Sequence, residues 1–390
     1  MTQSSSTRRA AIRFIVCLGL VSLFADMTYE GAYSSVGSLL EGLGAGAAVV
    51  GLVSGLGEMV AASLRYFSGR LADRTHAYWT FVIVGYVLNL IAIPGLAFAT
   101  TWEWAAVLIV IERTGKAIRG PARDVLLSEA TGVVGHGWGF GLHAVMDQTG
   151  AVLGPLIMAA VVARTHSFSY AFMLLSVPAV LALASILLAR YFRPNAGTPP
   201  PVKAPQTLTR TFWLYVAAAG LLACGFFDFP VLNYHFQHSR IFKPEMIPFL
   251  YAVAMGITGL TALVCGRLFD RFGLSVLIIG ILITMLALPL GFLGGPLGGV
   301  LAVIAWGAGH GVQDATLRSG IAQVVSMNKR GTAFGAFNGV YGVMWFAGSA
   351  VMGLLYNYSL VALVAFGLVA QIGAAVLFFS LRHRMTAEAH

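Results

Sequence analysis

Charged residues are scarce in this chain of 390 residues: Asp, Glu, Lys and Arg together make up only 10% of it, whereas about a quarter is typical of soluble proteins. Cysteine is scarce as well, and Cys17, Cys224 and Cys265 all lie inside apolar segments. A disulfide framework and a zinc site are therefore not expected. The chain also lacks a Walker-type phosphate loop and the His-Glu-x-x-His and Gly-x-Ser-x-Gly segments of many hydrolases. We therefore expect neither an enzyme nor a nucleotide-driven pump.

Apolar residues dominate the composition. The hydrophobic fraction is 58%, the mean hydropathy is +0.82, and there are 46 glycines. A soluble fold of this size could not bury so much apolar surface, so the composition indicates a polytopic membrane protein. The apolar runs are long and continuous, which favours spanning helices over a membrane β-barrel. The formal net charge of +9 is attributed to basic residues on the cytoplasmic side rather than to nucleic-acid binding.

Twelve stretches have the roughly 20 mostly apolar residues that a membrane-spanning helix needs. The predicted spans are 13–40, 47–68, 79–99, 102–124, 137–163, 168–192, 211–237, 245–268, 274–293, 297–319, 332–356 and 359–381. A Pro-rich stretch after the sixth span predicts a linker. The expected organisation is an N-terminal six-helix bundle at 1–192, a cytoplasmic linker at 193–210 and a C-terminal six-helix bundle at 211–390.

Basic residues are concentrated at alternate ends of these spans. With the N-terminus inside, the outer loops receive only Arg164, Arg240 and Lys243. We therefore expect both termini to be cytoplasmic and the protein to lie in a bacterial inner membrane. The first apolar run has a basic start like that of a signal peptide, but it contains Asp26 and Glu30 and no convincing cleavage site, so it is interpreted as the first membrane helix.

One short segment occurs in both halves of the chain. Gly69-Arg70-Leu71-Ala72-Asp73-Arg74 follows the second span, and Gly266-Arg267-Leu268-Phe269-Asp270-Arg271 follows the eighth, with five of six residues identical. Asp26 and Asp228 likewise fall in the first span of each half. One six-helix unit is therefore inferred to have been duplicated, as in many transporters that work by alternating access.

The repeated segment resembles the loop motif of the major facilitator superfamily, and Gly150-x-x-x-Gly154-Pro155 in the fifth span resembles a motif of its exporter branches. The resemblance implies an all-α membrane protein with 12 transmembrane helices, in two pseudo-symmetric six-helix bundles around a central cavity. It also implies a gating role for the loop residues Gly69, Asp73, Arg74, Gly266, Asp270 and Arg271.

Two contacts are expected from this gating motif. The glycines Gly69 and Gly266 would let neighbouring helices approach closely. By the resemblance, Asp73 would meet the start of the eleventh span, or Arg119 or Arg123 near the end of the fourth. The alternative is that the charges of the motif only fix the topology.

Ionisable residues inside the spans cost about 2.5–3.5 kcal/mol each on insertion scales and are therefore candidates for function. In the first span, Asp26, Tyr29 and Glu30 share one helical face, and Asp26 lies about 20 Å along the helix from Arg13. Two acids one turn apart repel each other in a low dielectric, which favours the binding of a proton. We interpret them as a proton-coupling or cation site; the alternative is an ion pair with a base of the fourth span.

The fourth and fifth spans carry further candidates. Glu112 and Arg113 point to different sides of their helix and are each expected to pair across helices, and Arg113 best matches a basic residue of family exporters. Arg119 is expected to snorkel to the interface. His143 and Asp147, one turn apart, suit a proton relay, although a lone His in such a position is more often structural.

The second half has fewer charges and more aromatic residues. Asp228 is its main candidate for the central site. An apolar substrate wall is one interpretation of the aromatic residues, and ordinary packing is the other: Phe226, Phe227, Phe229, Tyr341 and Trp345.

These residues predict a proton-coupled secondary transporter, most simply an efflux antiporter for a small molecule. A proton-coupled uptake symporter for a small metabolite or a metal chelate is the alternative. The expected partners are the substrate, protons and the lipid bilayer, with no nucleic acid, no metal site and no cofactor beyond the proton gradient, and the protein is expected to work as a monomer. A channel is disfavoured because no repeat resembles a selectivity filter.

Overall fold

The computed structural model describes residues 2–193, 208–324 and 330–388. Within these ranges the chain is helical, with a short 3-10 turn at Leu96–Phe98. The helices are α1 (Thr2–Tyr33), α2 (Val36–Gly42), α3 (Ala47–Thr75), α4 (Tyr78–Gly95), α5 (Trp102–Val134), α6 (His136–Thr165), α7 (Phe168–Leu174), α8 (Ser176–Phe192), α9 (Arg210–Gly225), α10 (Phe229–His238), α11 (Met246–Phe272), α12 (Leu274–Leu293), α13 (Gly295–Val324), α14 (Arg330–Tyr358) and α15 (Leu360–Glu388).

Eleven helical stretches in the described ranges are long and apolar enough to cross a membrane. They coincide with eleven of the twelve predicted spans, within a few residues at most ends. The remaining predicted span corresponds to α5. At 33 residues this helix is about 50 Å long, which is enough to cross a bilayer, but its many ionisable side chains lower its hydropathy.

The first span of each half is interrupted. α1 ends at Tyr33 and α2 begins at Val36, and the hydroxyl of Ser34 donates to the carbonyl of Gly31 (2.6 Å). Such side-chain bonds to the backbone compete with the regular helical pattern. The expected continuous span at 13–40 is therefore wrong at this point.

In the second half, the interruption lies between α9 and α10, at Phe226–Asp228. Pro230 occupies the first turn of α10, where the missing N–H of proline does no harm. The carbonyl of Gly225, at the end of α9, accepts a hydrogen bond from the buried amide of Gln371 (2.8 Å) on α15. This side chain therefore satisfies a carbonyl at the helix break.

The chain divides into two compact units, and the first comprises Met1–Ser35 and Ser63–Val202. In this unit α1 packs along α6 and α8, and α4 packs along α5. Near one end, the ring of Phe14 lies edge-on to Trp79 with centroids 6.1 Å apart, and the indole of Trp79 donates to the carbonyl of Arg193 (3.0 Å). Arg193 in turn pairs with Glu129 at 2.9 Å.

The second unit comprises Val36–Ala62 and Lys203–His390. Its apolar core is formed mainly by α9, α11, α12, α13, α14 and α15. α2 joins this unit because it packs on α10, where the hydroxyl of Ser38 donates to the side chain of Asn233. Packing thus groups 36–62 with the second unit. The division at a 193–210 linker stays a prediction, because 194–207 lies outside the described residues.

Candidate functional site

The first unit contains a buried cluster of ionisable side chains between α1, α5 and α6. Asp26 on α1 is 3% exposed and interacts with Asp147 on α6 through a side-chain hydrogen bond. Asp147 also accepts a hydrogen bond from the hydroxyl of Ser22, one turn before Asp26. Asp26 is further hydrogen-bonded by Tyr29 and feels the charge of Glu30. The two carboxylates that the sequence placed on different helices therefore meet.

Two bases of α5 act on these carboxylates: the charge of Arg119 acts on Asp26, and that of Arg123 acts on Asp147. Arg119 is 2% exposed, and its guanidinium lies 4.2 Å from the ring centroid of Tyr86 and 5.4 Å from that of Tyr29. The expectation that Arg119 snorkels to the interface is therefore wrong. Aromatic rings on α1 and α4 hold the cation by cation–π attraction, and its charge acts on Asp26.

Three buried polar atoms in this cluster have no hydrogen-bond partner among the described residues. They are Oδ1 of Asp26, Nε of Arg119 and Nε2 of His143. His143 lies one turn before Asp147 on α6 and interacts with its charge. Buried polar atoms are nearly always satisfied by protein or by water, so the cluster has the capacity to hold water or exchange a proton.

Glu112 and Arg113 pair with each other and also contact neighbouring helices. Nε of Arg113 lies 3.3 Å from Oε2 of Glu112, and both side chains are about 5% exposed. The amide of Asn89 on α4 donates to Glu112 (2.7 Å), and the Arg113 guanidinium lies 4.7 Å from the ring centroid of Tyr33. Each of the two residues therefore has a contact with a neighbouring helix, as expected, and the ion pair between them is an addition that the sequence did not suggest.

Glu30 belongs to a separate, more accessible contact. Its carboxylate lies 3.8 Å from Nζ of Lys116 on α5, and that ammonium lies 4.2 Å from the ring centroid of Tyr29. The ion pair with a base of the fourth span, given above as an alternative for the acids of α1, is therefore present for Glu30. Asp26, in contrast, faces Asp147.

The Gly150-x-x-x-Gly154-Pro155 motif of the fifth predicted span lies on α6 and brings this helix close to α1. A Cβ atom built on Gly150 would lie 2.2 Å from the carbonyl oxygen of Leu23, and one on Gly154 would lie 2.2 Å from that of Met27. Both distances are far below van der Waals contact, so only glycine fits. Pro155 lies within α6 directly after this contact. The motif therefore sets the spacing of α1 and α6 beside Asp26.

The loop motif has a partner that the sequence did not suggest. Asp73 accepts a hydrogen bond from the hydroxyl of Tyr78 at 2.9 Å. Arg119 is held by Tyr86 and Tyr29, and Arg123 pairs with the neighbouring Asp124 at 2.9 Å. The start of the eleventh predicted span lies outside the residues whose side chains are described. Asp73 thus has a contact at the start of α4, and its expected contact with the start of the eleventh span stays a prediction.

The two copies of the motif differ in their described contacts. A Cβ on Gly69 would lie 3.1 Å from Cβ of Pro121, so α3 and α5 approach closely there. Around Gly266, no described atom lies within 4 Å of such a Cβ; because the side chain of Arg318, at the matching position of α13, lies outside the described residues, the close approach stays a prediction for this copy. Arg74 and Arg271 are exposed, and the side chain of Asp270 lies outside the described residues.

The candidate residues of the second unit are mainly aromatic, whereas those of the first unit are mainly charged. Phe226, Phe227 and Phe229 are at most 1% exposed, so they are core residues and not an open substrate wall. Tyr341 and Trp345 on α14 are partly accessible and nearly enclosed, respectively. Asp228 is also buried, at the first residue before α10.

Several residues of these contacts were missed by sequence reasoning. Tyr86 and Asn89 are one turn apart in the otherwise apolar α4, and Gln371 lies in the apolar α15. The available signal was a polar side chain inside a strongly apolar span, which needs an internal partner. Among the described residues, no group of three or more His, Cys, Asp or Glu is arranged to hold a metal ion.

Long apolar helices with buried ionisable residues define a multi-pass membrane protein, and its fold is that of known transporters. The solved structure of the nucleoside transporter NupG aligns with this chain with a TM-score of 0.68 and 17% sequence identity. The alignment covers 95% of this chain and 98% of the NupG chain. The model of the Major Facilitator Superfamily matches residues 18–349. The chain therefore belongs to the Major Facilitator Superfamily and is a transporter rather than an enzyme.

Several relatives match nearly the whole chain. An uncharacterized protein of Mycobacterium tuberculosis (strain ATCC 25618 / H37Rv) is 37% identical over 394 residues, spanning 98% of this chain and 96% of its own. An uncharacterized MFS-type transporter of Methanocaldococcus jannaschii is 23% identical over 372 residues, spanning 92% of each chain. These similarities agree with the family and do not indicate a substrate.

Proposed function

We propose that this protein is a proton-coupled secondary active transporter that exports a small molecule by antiport and works by alternating access. The observation that carries the proposal is the contact between the buried Asp26 of α1 and the partly accessible Asp147 of α6. Two carboxylates in contact repel each other when both are ionised, and one bound proton removes that repulsion. The pair is therefore a natural place to take up and release a proton.

Arg119 gives this exchange a counter-charge. With a proton on the carboxylate pair, the guanidinium is held mainly by the rings of Tyr86 and Tyr29. With the proton lost, the pair attracts Arg119 more strongly. We propose that this change in attraction between α1, α5 and α6 shifts the balance between two conformations.

The loop residues are proposed to contribute to the gate, and the energy is proposed to come from the proton gradient without a bound cofactor. The exposed Arg74 and Arg271 at corresponding ends of α3 and α11 support a cytoplasmic location of these ends. A bacterial inner membrane, cytoplasmic termini and a monomeric transporter complete the proposal.

Proton binding is tested by a pH jump on reconstituted proteoliposomes adsorbed to a solid-supported membrane, without added substrate. We expect a transient charge displacement in the unaltered protein and its loss in Asp26→Asn and Asp147→Asn. Glu103→Gln is the matched control, because Glu103 is an exposed acid in the first turn of α5. A displacement of the same size in both Asp variants would rule out this carboxylate pair as the proton site.

Direction is tested in everted vesicles whose lumen has been acidified by respiration. Antiport predicts that a substrate added outside the vesicles reduces the acidification. The uptake symporter, the second candidate, predicts that only substrate preloaded in the lumen does so. Proteins carrying Asp26→Asn should show neither response.

A further inference from the structure

One face of α13 carries polar side chains inside the membrane-spanning part of the second unit. His310, Gln313 and Asp314 follow one another at i, i+3 and i+4 and so share this face. The side chain of Asp314 is 55% exposed, although it lies about 10 Å along the helix from the end of the span at Ile321. A carboxylate exposed to lipid at this depth is strongly disfavoured. Asp314 pairs with His310 at 3.7 Å, and its remaining exposure favours a face that borders water rather than lipid.

Aromatic rings from two helices surround this face. The imidazole of His310 stacks on Trp306, with centroids 4.9 Å apart and planes 7° apart, and its side chain remains 26% exposed. On α14, Tyr341 lies 5.7 Å from Trp345 between ring centroids. The hydroxyl of Tyr341 donates to Oε1 of Gln313 at 3.3 Å, which joins the two helices. Flat π surfaces of this kind favour a planar ring.

Two hydrogen-bond donors in this group have no partner in the part of the chain that the structure describes. They are Nε2 of Gln313, whose residue is 3% exposed, and Nε1 of Trp345, whose residue is 8% exposed. Both atoms only donate hydrogen bonds. A buried donor without an acceptor is unfavourable, so the group is complementary to a molecule that presents acceptor atoms.

We propose that this face, formed by His310, Gln313, Tyr341 and Trp345, binds the transported substrate, and that the substrate is a planar aromatic compound with hydrogen-bond acceptors. The proposal rests on the proposed transport function, whose substrate class it specifies. The ring of the substrate stacks on the accessible rings of His310 and Tyr341. Its acceptor atoms accept hydrogen bonds from the amide N–H of Gln313 and from the indole N–H of Trp345.

The ligand requirement is tested by thermal unfolding of the purified full-length protein with three neutral probes. Coumarin is planar and has acceptor oxygens, octahydrocoumarin keeps the acceptors without the aromatic ring, and naphthalene keeps the planar rings without acceptors. We expect saturable stabilisation by coumarin and at least about fivefold weaker binding of the other two, as the loss of a stacking contact or a hydrogen bond predicts. Acridine and flavone, which are larger acceptor-bearing rings, are measured alongside and should also bind.

The site is tested with Gln313→Met and Trp345→Phe, each of which removes one unpartnered donor and keeps an apolar side chain; Gln313→Met also removes the acceptor of the Tyr341 hydroxyl. Each should weaken coumarin binding about fivefold, whereas Trp213→Phe should leave it unchanged, because Trp213 is an exposed residue of α9. If either variant unfolds, the comparison of the three probes on the unaltered protein still tests the proposed substrate class. Failure of coumarin, acridine and flavone to bind, or equal binding of the three neutral probes, would overturn the proposal.

Binding in detergent at constant pH needs no proton movement, so this test is independent of proton coupling. Asp26→Asn should bind coumarin as the unaltered protein does. If the coumarin pattern is found and the pH jump shows no charge displacement, the aromatic site stands and proton coupling falls. If the charge displacement is found and no aromatic probe binds, the proposed proton coupling stands and this substrate class is refuted.

Discussion

Adding one methyl group to α6 beside Asp26 perturbs the contact between α1 and α6 directly. In Gly150→Ala the new Cβ would lie 2.2 Å from the carbonyl oxygen of Leu23 and 2.9 Å from Cβ of Asp26. The helices would have to separate by about 1 Å to reach normal contact, and overpacking of this kind costs about 1–3 kcal/mol. Gly154→Ala meets the carbonyl of Met27 in the same way, one turn away. Both variants should lower the thermal stability of the purified protein.

Gly141→Ala is the matched control, because it lies on the same helix and nothing in the described structure is within 4 Å of its new Cβ. It should be as stable as the unaltered protein. Gly150→Ala should also reduce the charge displacement in the pH-jump assay, because it pushes on Asp26. Equal unfolding temperatures for the three glycine variants and the unaltered protein would refute the packing argument.

Two further substitutions test buried polar contacts. Glu112→Gln removes the carboxylate that pairs with Arg113 and should destabilise the protein by about 3 kcal/mol. Glu103→Gln, at an exposed acid of the same helix, should have almost no effect. Similar chemical-unfolding midpoints for the two variants would contradict this expectation. Gln371→Leu removes the donor to the carbonyl of Gly225 at the break after α9 and should cost about 1–3 kcal/mol. An unchanged free energy of unfolding in this variant would show that the break does not need the amide.

The spans could be predicted from the sequence because each contains about 20 apolar residues in one run. α12 begins and ends at the predicted residues Leu274 and Leu293. The interruptions at Ser34 and at Phe226–Asp228 could not be predicted in the same way. They depend on a few local and long-range hydrogen bonds, such as that of Gln371, which leave the hydropathy of the span unchanged.

The candidate site could be predicted in its residue types but not in its pairings. Asp26 and Asp147 stood out as acids inside apolar spans, yet their contact joins residues 121 positions apart. The sequence predicts Arg119 at the membrane interface because it lies near the end of the predicted span at 102–124. Its burial depends on Tyr86 of another helix, and a single sequence does not show which helices are neighbours.

The charge content of α5 has a consequence for biogenesis. Glu112, Arg113, Lys116 and Arg119 each oppose partitioning from the translocon into lipid by about 2.5–3.5 kcal/mol near the helix centre. On its own the segment would not be retained in the bilayer, although every later helix depends on it for its topology. We therefore expect its integration to depend on contacts with earlier segments, such as those of Lys116 and Arg119 with Tyr29 of α1.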